Sequence, residues 1–279
     1  MITLSQAIIL GIIQGITEWL PISSEGISSL VMVIFFKKSF VDAISISIWL
    51  HVGTFFSAIV YFRKDINGII TSVPAHVRNI KNISQDNVLV FLVISTCATG
   101  LLGLPLLLLS INKLGFAGEN AMLAIGLFLI ISGIIQLHGH KKRIPDAAVE
   151  RRKITISDSF FVGLAQAFSI FPGISRSGIT TSFLLMRRYP AEQALKLSFL
   201  MSIPAVFGAQ IVLQFFLNPA PFNYSALVAV IISFMLGFIG IHVLMRFAEK
   251  INFAFFLFFI GFASIVPFFL KLLSLRFLQ

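Results

Sequence analysis

Gln14 and Glu18 stand four positions apart in the apolar run 3–20, which places an amide and a carboxylate on one face of a helix. Pro21 interrupts that run, and Ser23, Ser24 and Glu25 follow it. A second polar cluster sits between apolar runs in "PGISRSGIT", where Gly173, Ser175, Arg176, Ser177, Gly178 and Thr180 fall within nine residues. These types suit an oxyanion. A helix that opens after Pro21 or after Pro172-Gly173 offers unpaired N–H groups and the positive end of its dipole. Gly173 and Gly178 would let backbone approach a ligand, and the guanidinium of Arg176 is a planar fork matched to phosphate. Thr180 lies one turn beyond Arg176 on the same face. The blander alternatives are serines that cap helices, and a buried Glu18–Arg176 pair that ties two segments together. Since Glu18 repels phosphate, it calls for a bridging divalent cation (Mg²⁺ or Ca²⁺, with Glu18 as its ligand) or for a part in proton transfer.

The elements that must position these groups are membrane helices. Of 279 residues, 57% are hydrophobic, 31 are phenylalanine and 11% are charged, with mean hydropathy +0.98. A soluble domain carries about 25% charged residues, so the chain is an all-α polytopic membrane protein. The net charge of +10 does not indicate nucleic acid, because Lys and Arg cluster between apolar runs as they do in cytoplasmic loops facing anionic lipid. Cys97 is the only cysteine, which excludes an internal disulfide and a thiolate metal cluster. Residues 1–17 are uncharged and lack a basic start, so they read as mature protein rather than a leader.

A spanning helix needs about 20 apolar residues. The segments 43–62, 87–110, 120–137, 197–217, 225–245 and 251–270 qualify. Residues 3–20 with 26–36, and 159–171 with 175–186, form pairs of half-length helices broken at proline, the pattern of re-entrant hairpins. Each half of the chain then reads as one hairpin and three spans. Three is odd, so the halves enter the membrane with opposite orientation: repeat one over 1–138, a basic loop over 139–156, repeat two over 157–279, all in a single domain. "GIIQGITEWLPISSEGISS" echoes "GLAQAFSIFPGISRSGITTS". The basic segments 63–86 and 141–153, with Arg187, Arg188, Arg246 and Lys250, go inside. The charge-poor turns 111–119 and 218–223 and both termini go outside, with Lys37 and Lys38 as exceptions. His51 reads as a hydrogen-bonded structural histidine, and Gly11, Gly15, Gly237 and Gly240 as helix-packing contacts.

"QGITEWLPISSEG", "LHVGTFFSAIVYFRKDI", "GLAQAFSIFPGISRSGIT" and "RRYPAEQALKLSFLMSIPAVFGA" together resemble the bacitracin-resistance-type undecaprenyl-diphosphatases. The resemblance implies a plasma-membrane enzyme that removes one phosphate from a polyprenyl diphosphate on the outer face, for recycling of a cell-wall lipid carrier, with a divalent cation. It implies roles for Gln14 and Glu18 as the family's (Glu/Gln)-x3-Glu pair and for Ser23 and Ser24 as its serine pair. Ser175, Arg176 and Thr180 match its phosphate grip, with Ser177, Gly173 and Gly178 beside them. One position departs: the family motif carries a histidine regarded as catalytic where this chain has Ile27, and Glu25 stands two residues before it. Three readings follow. Glu25 takes over acid–base duty, or is only a carboxylate favoured by a helix start. Ser24 is the nucleophile with Glu18 as its base. Or hydrolysis is lost and the chain moves polyprenyl monophosphate across the membrane. Membrane lipid is a partner on every reading, and the sequence leaves a homodimer open.

Overall fold

The computed structural model describes residues 2–78, 87–113, 119–141, 152–216, 223–247 and 254–277. Its regular structure is eleven α-helices and one 3-10 turn, with no strand among the described residues. Most of the basic loop expected over 139–156, and the turns at 114–118 and 217–222, lie outside those residues.

Two pairs of short helices sit where the prolines predict breaks. In the first, α1 (Leu4–Thr17) starts from a reciprocal capping box between Thr3 and Gln6, and α2 (Ser24–Ile34) is capped by Ser23. The long helices α3 (Phe40–Tyr61), α5 (Val88–Lys113) and α6 (Glu119–Lys141) follow, with α4 (Arg63–Arg78) between the first two. The second pair is α7 (Ile156–Ala167), drawn out by a 3-10 turn over Phe168–Ile170, and α8 (Arg176–Met186), capped by Ser175. Then come α9 (Ala191–Phe216), α10 (Tyr224–Phe247) and α11 (Ala254–Phe277). At 11–14 residues, α1, α2, α7 and α8 are each too short to cross a bilayer. Among the described residues five helices (α3, α5, α6, α9 and α10) are long and apolar enough to do so; the span expected at 251–270, which falls on α11, is not among them. The segment 63–86, expected to be loop, instead carries α4. Its charged start (Arg63, Lys64, Asp65) and narrow apolar stripe do not register in a search for apolar runs of spanning length.

Close helix approach holds the bundle together, since lipid tails give apolar helix faces no reason to leave them. α1 packs on α10 through Gly11, where a Cβ would stand 2.7 Å from the Ala229 carbonyl oxygen. Reciprocally, α7 packs on α5 through Gly163, where a Cβ would lie 2.3 Å from the Ser95 carbonyl. The tightest approach is α3 to α10: a methyl at Gly53 would come within 1.9 Å of Ser233 Oγ and 2.3 Å of the Val230 carbonyl. α5 and α9 touch far less extensively than α3 and α10. Trp19 fills the centre, edge-on to Phe199 at 5.0 Å between ring centres.

One end of α7, α8 and α9 is locked by a buried carboxylate. Asp158 Oδ1 accepts from Arg187 Nε at 2.5 Å, and its Oδ2 accepts from the Tyr189 hydroxyl at 2.9 Å, with Arg152 Nη2 at 3.9 Å. Burial, and then the Asp158 carboxylate beside it, push the Tyr189 phenol above its ordinary range. Lys196 of α9 meets Asp65 of α4 at 2.6 Å at the same end of the bundle, the end that carries the basic segments.

Candidate active site

The two breaks meet in the interior, and serines stitch them together. Ser23 adopts a left-handed backbone (φ 61°), a conformation that costs an L-residue about 1–2 kcal/mol. Two hydrogen bonds to its hydroxyl offset that cost, from Gly26 N at 3.3 Å and from Gly173 N of the opposite break at 3.1 Å. The Ser177 hydroxyl returns the link by donating to the Leu20 carbonyl at 3.1 Å. α6 braces both breaks: Ser132 Oγ donates to the Gly173 carbonyl at 3.0 Å, and one turn on Gln136 Nε2 donates to the Pro21 carbonyl. Gly173 is required twice over. Its φ is +111°, and a Cβ there would stand 2.7 Å from the Ile125 carbonyl.

The caps fix the register between the two breaks. Ser23 and Ser175 each accept from the N–H of a glycine three residues on, Gly26 and Gly178. Ser24 and Arg176 are therefore equivalent positions, the first residue inside α2 and inside α8. Both side chains reach the carboxylate of Glu18, which is 5% exposed. Glu18 Oε2 accepts from Ser24 Oγ at 2.7 Å, from Gln14 Nε2 at 2.8 Å, and faces His51 Nε2 at 3.1 Å. Glu18 Oε1 accepts from Arg176 Nη2. A carboxylate bonded to a serine hydroxyl can take its proton. An arginine held by one nitrogen keeps further N–H groups for an oxyanion.

This cluster is the head of a cleft of about 740 Å³. Glu18, Ser23, Ser24, Glu25, His51, Ser175 and Arg176 line the head. The body is mostly apolar, formed by residues 40–48 of α3, 96–107 of α5 and 204–212 of α9. Gln14 is fully buried and reaches the site only through Glu18. Ser177, Gly173 and Gly178 act in the joint between the breaks rather than on the cleft wall. Thr180 is buried, donating to the Arg176 carbonyl at 2.8 Å and sharing a 2.6 Å hydrogen bond with Ser198 of α9, so it braces the arginine from behind. Ile27 packs with the apolar cluster of Ile22, Leu30, Met122 and Ile125, and does not line the cleft. His51 makes the backbone hydrogen bond expected of a structural histidine, Nδ1 to the Ser47 carbonyl at 2.8 Å, yet its other nitrogen faces Glu18. Its position on an otherwise apolar helix was the available signal. Gln166 also lines the cleft, its amide donating to Thr99 Oγ1 at 3.0 Å; the repeated Gly-x-x-Gln pairs it with Gln14.

Comparison with known proteins finds relatives along nearly the whole chain. Residues 7–266 match the family model described as bacitracin resistance protein BacA. A protein of Methanococcoides burtonii named undecaprenyl-diphosphatase is 44% identical over 271 residues, 97% of this chain and 100% of the relative. Proteins of the same name from Methanothrix thermoacetophila and Haloarcula marismortui are 37% and 34% identical, over 90% and 88% of this chain and 91% and 90% of their own lengths. Matched along nearly its whole length, the chain belongs to the bacitracin resistance protein BacA family.

Proposed function

We propose that this protein is a membrane phosphatase that converts a polyprenyl diphosphate of the undecaprenyl type to the monophosphate, so that the lipid carrier can be used again. The carrying observation is the junction at which Ser24 and Arg176 grip opposite oxygens of one buried carboxylate, at the head of an apolar cleft. Hydrolases of this name among the relatives support the reading.

Ser24 Oγ attacks the terminal phosphorus as its proton passes to Glu18 Oε2. The P–O bond to the inner phosphate breaks, and the lipid monophosphate leaves with the proton that Glu18 had taken up. Water then cleaves the phosphoserine, Glu18 taking a proton from the water and returning it to Ser24 Oγ, which releases orthophosphate and restores the hydroxyl. Arg176, together with the N–H groups at the starts of α2 and α8, neutralises charge on the transferred group. The same cleft would accept a divalent cation. Glu18 is already engaged by four donors, so Glu25 and the oxygens of the diphosphate would hold the ion. When bound, it would withdraw charge from the scissile phosphoryl group.

We also read the fold as two inverted repeats, each a re-entrant hairpin followed by spanning helices. The α1–α10 and α7–α5 packings support this, as does the shared cap register. The cleft wall uses residues 40–48 of α3, 96–107 of α5 and 204–212 of α9, segments remote from the basic end of the bundle. That arrangement supports an active site open to the outer face, with the prenyl tail lying along the gap between α5 and α9.

Release of orthophosphate from undecaprenyl diphosphate by the purified protein with Mg²⁺, and its loss with a chelator, tests the reading; no release in any divalent ion would end it. The tail assignment has its own test. Gly208 lines the cleft, and a Cβ there would meet no atom within 4 Å. Trp at this position fills space the tail needs without disturbing helix packing. Displacing about 80 Å² of tail contact at ~25 cal/mol per Å² costs ~2 kcal/mol, so KM for the long-chain substrate rises about 30-fold. KM for a farnesyl-length analogue stays near its original value. Equal effects on both substrates would place the tail elsewhere.

A further inference from the structure

The Glu18–Arg176 contact uses one guanidinium nitrogen and one carboxylate oxygen. Arginine and a carboxylate left to themselves close into a bidentate fork, the stronger geometry. Here that closure would be damaging. It would turn Oε2 away from Ser24 and occupy the N–H groups that Arg176 keeps for phosphate. The contacts on Oε2 show what prevents it. Gln14 lies on the same helical face as Glu18, so it moves with the carboxylate and cannot anchor it against α8. His51 belongs to another helix. Its Nδ1 is fixed by the Ser47 carbonyl at 2.8 Å, one turn back on α3; carbonyls and carboxylates only accept, so Nδ1 donates there and Nε2 donates to Glu18, the arrangement of an imidazolium with both nitrogens protonated. The ring is thereby aimed with Nε2 at Glu18 Oε2, 3.1 Å away. α3 itself is held against α10 at Gly53, so the imidazole has a rigid mount.

We propose that His51 is a positioning residue of this phosphatase. By holding Oε2 it keeps Glu18 split between Ser24 and Arg176, and so keeps both the base and the phosphate grip open for the reaction. The inference rests on the hydrolytic reading above and adds a residue from α3 to a centre otherwise built by the two breaks. It also gives the chain an imidazole at Glu18 although position 27 of α2 is an isoleucine in an apolar cluster.

The test uses the full-length protein in detergent with undecaprenyl diphosphate. His51→Leu removes the donor at similar bulk and is expected to lower kcat about 100-fold, the scale of an ångström-level misplacement of a catalytic group. His51→Gln sets an amide N–H near the Nε2 position and is expected to recover activity to within about tenfold of the parent. A double-mutant cycle separates positioning from general structural support. If His51 acts through Glu18, then His51→Leu added to Glu18→Gln lowers the residual rate by less than about threefold. A structural role would instead add its full loss in either background. Unchanged turnover in His51→Leu, failure of His51→Gln to recover, or additive losses in the cycle would each overturn the inference while parental phosphate release continued. Absence of release from the parent protein would instead strike the hydrolytic reading itself.

Discussion

Arg176→Ala lowers phosphate release by about 10³- to 10⁵-fold, the range in which a transition-state arginine acts in phosphoryl transfer. The effect is large because the guanidinium serves two partners. It meets Glu18 through one nitrogen and lines the cleft head, where on the proposed mechanism the phosphoryl oxygens gather negative charge. Little water competes there, since the Arg176 side chain is 14% exposed and that of Glu18 3%. Removing one member of a buried pair also costs about 3–5 kcal/mol of stability by leaving the other charge without compensation. The activity measurement therefore needs a folded control. Arg176→Ala combined with Glu18→Gln removes both charges and should recover most of the thermal stability without recovering turnover. Arg176→Lys keeps the charge but loses the planar fork, and falls between parent and alanine. Phosphate release and melting temperature, recorded together on the three variants, check the prediction. Turnover by a folded Arg176→Ala protein at the parental rate would remove the phosphate-gripping role.

Ser24→Ala reduces turnover on the order of 10⁴-fold and leaves substrate affinity nearly unchanged. The magnitude follows from deleting a nucleophile whose base cannot transfer its effect elsewhere. Ser24 Oγ sits 2.7 Å from Glu18 Oε2 and 6% of the residue is exposed, so the hydroxyl is pre-bonded to its base before any substrate arrives. The neighbouring Ser23 is the control. Its hydroxyl is spent on Gly26 N and Gly173 N, and Ser23→Ala costs about 1 kcal/mol of stability with a much smaller effect on chemistry. Acid quench of the working enzyme with labelled diphosphate should trap phosphate on Ser24 and none on Ser23. If Ser24→Ala hydrolyses at more than a tenth of the parental rate, water activated by Glu18 is the attacking group.

The residues of this centre were largely visible in the sequence because charge is so scarce in it. Glu18 and Arg176 interrupt apolar runs, and prolines with adjacent serines mark the helix starts that bring them together. What periodicity could not convey was which atoms face the cleft. Thr180 shares a helical face with Arg176, yet that face meets α9, so its hydroxyl is taken up by Ser198. Gly173 and Gly178 are small for reasons internal to the protein: one lets a carbonyl of α6 pass close by, and at the other a Cβ would stand 3.0 Å from Gln136 Nε2 and from Ser175 Cβ. His51 makes the structural hydrogen bond expected of it, but a lone histidine in a span looks the same in sequence whether its second nitrogen meets a carbonyl or, as here, a carboxylate. α4 went unseen because its charged first turn resembles a loop.

The matched capping of α2 and α8 has a further consequence. On the proposed mechanism, one position in one kind of helix start supplies an oxygen nucleophile in the first half of the chain and a guanidinium in the second, so neither half holds a complete set of reagents. The rate of hydrolysis is thus a ruler for how the halves are aligned. A fraction of an ångström of slip between them opens the gap between attacking oxygen and charge-neutralising nitrogen, and catalysis fades well before the bundle comes apart.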